Sequence, residues 1–166
     1  MVGLTQGFTN YARKLFISHI FDTPLKQIFA RAEGTTNGDA GPKYLLYSAH
    51  DFQIANVMVQ LKPELTLDGV PYASNVVMEL WKAKDGSFKV RTTYNNAPVT
   101  FDTCGYQDFC EISQFKAHID ERLVVKPEET HQLCEQTPTK EQLVLGNTDW
   151  HYATTPEVSP LIVLLI

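Results

Sequence analysis

A short apolar run that ends at a histidine–aspartate pair places the strongest constraint on how this chain can fold. Residues 44–49 have the composition of a buried strand, and the run stops abruptly at His50 and Asp51. Apolar residues then follow at helical spacing: Ile54, Val57, Met58 and Leu61. Open α/β sheets place their ligands outside the carboxyl ends of strands, so this strand-to-helix junction is where we expect chemistry. We also expect Asp51 to cap the helix, which would orient its carboxylate.

The size and charge of the chain limit the kinds of protein to which it can belong. Its 166 residues are enough for one globular domain with an apolar core. With 14 Lys+Arg against 19 Asp+Glu the net charge is −5, and the sequence shows no basic stripe, which argues against nucleic acid as a partner. Residues 1–9 lack the pattern of a signal peptide. No run reaches the roughly 18 apolar residues of a membrane span; the apolar end, 160–166, is a frayed tail or the first part of an anchor.

Three cysteines make an odd count. Cys104 and Cys110 lie close together around Gly105, which favours a small disulfide loop and an oxidising compartment. Cys134 is then a free thiol or has a partner outside this chain. The alternative is three reduced cysteines in a cytosolic protein. No CxxC or His-x3-His spacing is present, so we predict no zinc site.

The first half of the chain has mainly helical patterns. Apolar residues and His19 predict an amphipathic helix over 6–21, restarted by Asp22-Thr23-Pro24 with Thr23 as its cap and Pro24 in the first turn. The second helix presents Leu25, Ile28, Phe29 and Ala32. After a loop over 34–42 we predict a strand at 43–49 and a helix at 51–61.

The second half begins with a hairpin. Strand-like residues 75–83 and 87–94 flank Asp85-Gly86, with Val76, Met78 and Leu80 predicted on one face of the first strand. A further helix is expected at 111–123, and a polar segment follows Pro127. The strand at 43–49 is apolar on both faces, which is typical of the middle of a parallel sheet. The chain has few strands to flank it, so either the hairpin supplies its neighbours or part of the sheet is missing.

Several features in the same order resemble the C-terminal part of the histidine acid phosphatases, the two-domain branch of the histidine phosphatase superfamily. They are the His50-Asp51 junction, Tyr72-Ala73-Ser74, Met78-Glu79-Leu80-Trp81, the run from Val90 to Asn96, and the Cys104–Cys110 loop. The resemblance covers about residues 5–135. It implies an incomplete three-layer α/β sandwich with a β-hairpin over 1–135, leaving 136–166 as a polar tail with a short apolar end.

The resemblance implies hydrolysis of phosphate monoesters through a phosphohistidine, without cofactor or metal. His50 would contact phosphate, and Asp51 would be the general acid, a role that fits a carboxyl whose pKa is raised by burial near other anions. Cys104 and Cys110 would form the small C-terminal disulfide, and Cys134 would pair with an earlier cysteine of a full-length chain. The parent would be secreted or lysosomal.

The chain also departs from the family pattern. The Arg-His-Gly-x-Arg-x-Pro motif that carries the nucleophile has no counterpart here, and neither has the second pocket arginine. Phe52-Gln53 stand where threonines are usual, and Asn75 where many members have a bulkier or basic residue. We therefore expect the isolated chain to be inactive. Two alternatives are a non-catalytic remnant that binds a phosphorylated ligand or a protein, and an inositol-phosphate phosphatase.

The remaining titratable residues have structural interpretations. We expect His19 in the core, and His118, His131 and His151 in polar surroundings without ligand spacing. Glu79 is read as a solvent-facing strand residue. Lys43 and Arg91 are read as surface cations.

Overall fold

The computed structural model describes residues 10–35, 42–62, 69–122, 127–137 and 139, and the backbone of 161–165. Its helices are α1 (Asn10–Ala32), α2 (Asp51–Leu61), α3 (Ile112–Arg122) and α4 (Pro127–Glu135). Its strands are β1 (Leu45–Ala49), β2 (Val76–Lys82), β3 (Phe88–Tyr94), β4 (Ala97–Pro98), β5 (Phe109–Glu111) and β6 (Leu161–Leu165), and a 3-10 turn spans Asp102–Cys104. The fold is an open mixed α/β arrangement, which confirms the predicted class.

The strands form one sheet in the order β1-β6-β2-β3-β4, and β5 also pairs with β3. β2 and β3 are an antiparallel hairpin whose register runs from Val76↔Tyr94 to Lys82↔Phe88, as predicted from Asp85-Gly86. β6 lies between β1 and β2, antiparallel to the first and parallel to the second. The prediction of a frayed tail is therefore wrong for 161–165. A strand from the far end of the chain supplies the neighbour that the apolar run of β1 requires.

β1 itself differs from its prediction. It is the last strand of the sheet path, and its side chains alternate between half-buried and exposed positions, with Leu46 52% exposed. The prediction of a strand buried on both faces within a parallel sheet is wrong. Apolar composition alone did not distinguish the two cases, because only one face of β1 is turned toward the core.

The core lies between one face of the sheet and the helices. Val76, Met78 and Val90 from the hairpin are almost fully buried, with Leu80 partly buried beside them. Helix α2 contributes the apolar face that its spacing predicted: Ile54, Val57, Met58 and Leu61. This burial anchors α2 and so fixes the position of the β1–α2 junction.

Helix α1 is continuous through Pro24, so the predicted restart at Asp22-Thr23-Pro24 is wrong. Phe21 and Leu25 are buried on either side of this point, and a 2.8 Å ion pair joins Lys26 to Asp22 across it. A proline removes one helical hydrogen bond, and here the burial of both flanking turns opposes a break.

The buried stripe of α1 consists of Ile17, Phe21, Leu25 and Ile28, of which Leu25 and Ile28 were predicted. His19 is exposed, so its assignment to the core is wrong. Within the described part of the chain, no helix is both long enough and apolar enough to cross a membrane.

The disulfide loop follows the hairpin. Cys104 and Cys110 are bonded, with their Cα atoms 5.1 Å apart, which confirms the predicted loop. Both cysteines are buried, whereas Cys134 is a free thiol exposed on α4. Helix α3 lies within the predicted 111–123, and α4 forms in a segment for which no helix was predicted.

Candidate functional site

The junction between β1 and α2 is built around the backbone of His50. His50 is the N-cap of α2 and has an extended conformation, φ −102° and ψ 164°. Its N–H donates to Oε1 of Gln53 at 3.0 Å, and its carbonyl accepts the N–H of Gln53 at 3.0 Å. The N-cap is therefore His50, and the expectation that Asp51 caps the helix is wrong. Gln53 closes the helix start from its third position.

Asp51 is the first residue of α2. Its carboxylate Oδ1 accepts the N–H of Phe52 at 2.8 Å, and the residue is half-buried. The first turn of a helix leaves backbone N–H groups without helical acceptors, and the carboxyl group accepts one of them. Asp51 is thus held by the helix start, although not by the capping interaction that we predicted.

The imidazole of His50 is exposed and stacks on the ring of Phe52, with ring centroids 5.9 Å apart and planes inclined by 9°. The stack gives Phe52, a departure from the family pattern, a definite structural role. It limits the orientations of the imidazole while the ring nitrogens remain at the surface.

A second group of polar side chains lies where β2 begins and β3 ends. Nδ2 of Asn95 donates to Oγ of Ser74 at 3.1 Å, and its Oδ1 accepts the N–H of Asn75 at 2.9 Å. Asn95 has a positive φ of 49°, a conformation that asparagine tolerates better than most residues. The pairing of β6 with both β1 and β2 puts this cluster at the same end of the sheet as His50, about 10 Å away across two strand spacings.

Sequence reasoning singled out Asn75 but missed its partners. Ser74 is buried, and both Ser74 and Asn95 entered the sequence analysis only through the family resemblance. The Asn95-Asn96 pair was the available signal, because both residues have positive φ and so place side chains in unusual directions.

The other predicted charged residues are not brought to His50. Arg91 and Glu79 form an ion pair of 3.4 Å between β3 and β2, and Glu79 also accepts the indole N–H of Trp81 at 3.2 Å. Glu79 is half-buried in this pair. Lys43 precedes β1 and therefore lies at the end of that strand opposite to His50.

His118 has a role that its sequence context did not indicate. It is 2% exposed, with Nε2 2.7 Å from the carbonyl of Leu61 and Nδ1 3.1 Å from Oγ1 of Thr103. The prediction of polar surroundings is wrong for this residue. Burial lowers the pKa of His118, so the neutral imidazole is the favoured form.

The remaining histidines give no metal site. His131 is exposed on α4 and lies 3.4 Å from Glu135, and His151 is outside the described residues. In the part of the chain that the structure describes, no group of three or more His, Cys, Asp and Glu is close enough to hold a metal ion.

The segment of the chain that contains this junction matches a known protein family. Residues 15–95, just under half of the chain, match the family model of the histidine phosphatase superfamily (branch 2). The matched segment runs from α1 to the end of the hairpin and includes His50, Asp51 and the Ser74–Asn95 cluster. The family resemblance found in the sequence is thereby confirmed.

Two individual phosphatases are also similar to this chain. The chain is 34% identical to human 2-phosphoxylose phosphatase 1 over 87 residues, which are 51% of this chain and 18% of the relative. It is 29% identical to lysosomal acid phosphatase of Xenopus laevis over 133 residues, 75% of this chain and 29% of the relative. The chain thus spans less than a third of the length of these curated relatives. No solved structure matches it.

Proposed function

We propose that this chain carries the acid and phosphate-contacting half of a phosphomonoesterase site of the acid phosphatase type. The observation that carries the proposal is the arrangement of His50 and Asp51 on consecutive residues at the start of α2. The imidazole is exposed there, and the carboxylate is held in the first turn. The substrate class is a phosphate monoester.

The two residues have different tasks. An imidazole N–H of His50 donates to a phosphoryl oxygen, which offsets the charge that develops there. Asp51, as the carboxylic acid, gives its proton to the leaving alkoxide while the bond between phosphorus and that oxygen breaks. The resulting carboxylate then takes a proton from the water that hydrolyses the phosphohistidine.

The attacking nitrogen has to come from a histidine outside the 166 residues, because none of the five histidines stands in an Arg-His-Gly context. Positioning and charge neutralisation supply most of the acceleration in phosphoryl transfer, and half a site supplies little of either. We therefore expect the isolated chain to be catalytically inactive. A complete parent would be secreted or lysosomal.

Turnover by the purified chain tests the inactivity. It is incubated at pH 5 with p-nitrophenyl phosphate and with 2-phosphoxylose, the latter suggested by the name of the human relative. We expect no release of phosphate above that of the Asp51→Asn variant. Turnover that depends on Asp51, together with a phosphohistidine detected by mass spectrometry, would contradict the claim that the nucleophile is absent.

Retention of the phosphate contact needs a separate measurement. Calorimetric titration with inorganic phosphate should give heat that His50→Ala removes and His131→Ala leaves unchanged, since His131 is exposed on another helix. Binding that both variants retain would place the phosphate elsewhere and contradict the role of His50. Heat that disappears in His50→Ala supports a retained phosphate contact, whereas no binding at all would favour the second candidate, a non-catalytic remnant that acts as a protein-binding surface.

A further inference from the structure

A cleft of about 400 Å³ lies beside the disulfide loop, at the end of the sheet opposite to His50. Cys104 contributes to its floor, and its walls come from the loop, β5 and the start of α3. The wall residues are Tyr106, Gln107, Asp108, Phe109, Glu111 and Gln114. The volume lies within the range of pockets that hold small molecules.

Two aromatic rings border this cleft and remain open to solvent. Tyr106 is 63% exposed and Phe109 is 41% exposed. The ring of Phe109 makes an edge-to-face contact with Trp81, with centroids 5.8 Å apart. Apolar surfaces that stay exposed beside a concavity are characteristic of binding sites.

The backbone of the loop that carries Tyr106 is held by local contacts. Tyr106 has a φ of 57°, which side-chain-bearing residues rarely adopt, and its N–H donates to the carbonyl of Phe101 at 2.9 Å. The disulfide between Cys104 and Cys110 closes the loop around it. The backbone that carries the ring is thus fixed before a ligand binds, which lowers the entropy lost on binding.

The rest of the wall offers hydrogen bonds and little positive charge. Gln107 and Gln114 carry amides, which both donate and accept, and Asp108 carries an exposed carboxylate. Lys89 borders the cleft but is held by Glu111 at 2.7 Å. The charge of Lys89 is balanced by Glu111, and the charge of Asp108 is balanced by Lys62, whose Nζ lies 5.9 Å from the centroid of the Tyr106 ring, so the cleft carries little net charge and suits a neutral ligand better than a phosphate group.

We propose that this cleft binds a neutral pyranose sugar. A pyranose with equatorial hydroxyls has a face of axial C–H groups that packs on an aromatic ring, and Tyr106 provides an exposed ring held by the loop. Its hydroxyls both donate and accept hydrogen bonds, which matches the amides and carboxylates of the wall. The site is separate from His50 and Asp51 and does not depend on the function proposed for them.

Saturation-transfer NMR with methyl β-D-glucopyranoside tests this proposal. We expect transfer from the wild-type chain to the axial protons of the sugar. Tyr106→Ala should weaken binding by roughly tenfold, since an aromatic contact is worth up to about that factor, and Gln114→Ala should weaken it as well. Tyr72→Ala removes an equally exposed aromatic side chain outside the cleft and should bind like the wild type.

Three controls accompany this experiment. Circular dichroism should show that Tyr106→Ala is folded, and Gln114→Ala serves as the surface variant if it is not. Reduction of the disulfide should abolish transfer, and His50→Ala should leave it intact even if phosphate titration fails. No transfer from the wild type, equal weakening by Tyr106→Ala and Tyr72→Ala, or loss of transfer in His50→Ala would each overturn the proposal.

Discussion

The imidazole Nε2 of His118 lies 2.7 Å from the backbone carbonyl of Leu61, the last residue of α2. The last carbonyls of a helix have no partner within the helix, so this buried nitrogen satisfies one of them. The other ring nitrogen is 3.1 Å from Oγ1 of Thr103, next to the disulfide loop, and the ring packs against Phe101 with centroids 4.2 Å apart. One side chain thus ties the helix that begins at Asp51 to both α3 and the disulfide loop.

The burial of His118 predicts that the fold loses stability in acid. Burial lowers the pKa of His118 below its usual 6.5 and Arg122 adds to the shift, while the hydrogen bond to the Leu61 carbonyl and the charges of Asp102 and Glu121 oppose it. The unfolded chain therefore binds a proton at His118 that the folded chain resists. This contribution to the free energy of unfolding is fully present above about pH 6.5. It decreases as the pH falls from there toward the lowered pKa of the folded state.

Urea unfolding between pH 8 and pH 5 checks the expectation. His118→Gln should be less stable than the wild type at pH 8, because it fills the space less well, but its stability should change less between the two pH values. His131→Ala should keep the wild-type pH dependence, since His131 is exposed. An equally steep decline in His118→Gln would show that other groups cause the acid sensitivity.

The disulfide should stabilise the folded state even though the loop that it closes is short. Cys104 and Cys110 are six positions apart, and chain entropy predicts a stabilisation of about 2 kcal/mol for a loop of this length. The double variant Cys104→Ala/Cys110→Ala should lose about this amount in urea unfolding. Reductant should bring the wild type to the same midpoint and leave the double variant unchanged, while Cys134→Ser should behave like the wild type. Insensitivity of the wild type to reductant would contradict this account.

The elements that could be predicted from sequence are those specified locally. Asp85-Gly86 indicated the turn of the hairpin, and the alternation around Met78 correctly assigned the two faces of β2. The spacing from Ile54 to Leu61 gave α2 with its observed bounds. In each case the residues that form the element also determine which side it buries.

The elements that were predicted wrongly depend on distant partners. The burial of β1 depends on its position at the sheet edge, and its neighbour β6 comes from more than a hundred residues later. His19 and His118 exchanged their expected environments because periodicity within one helix does not say what the adjacent face meets. At the candidate site, the junction could be predicted from sequence, whereas its capping by Gln53 and the Ser74–Asn95 cluster could not.

The side chain of Gln53 should set the start of α2. Its Oε1 is the acceptor for the N–H of His50 at 3.0 Å, so Gln53→Ala removes that acceptor and should cost about 1 kcal/mol. Gln53→Glu keeps an acceptor at the same place and should cost much less. Urea unfolding measures both changes, and equal destabilisation by the two variants would show that the contact does not hold the helix start.

The position of β6 makes the connection between β1 and the hairpin vulnerable to a single backbone change. Val163 pairs with Tyr47, and a proline at 163 removes an N–H from a strand with neighbours on both sides. Loss of one hydrogen bond from the ladder costs roughly 0.5–1.5 kcal/mol, and unpaired edges of β1 and β2 promote association. Val163→Pro should therefore lower the urea midpoint and shift the chain toward larger species in size-exclusion chromatography.

Val163→Ile is the matched control, because it keeps the N–H and the branched side chain that suit a strand. It should unfold and elute like the wild type. If Val163→Pro does the same, β6 does not hold β1 to β2. The junction at His50 and Asp51 would then be attached to the core through α2 alone, since Ile54, Val57, Met58 and Leu61 remain buried without it. The approximately 10 Å relationship between His50 and the Ser74–Asn95 cluster depends on β6 and would no longer be fixed.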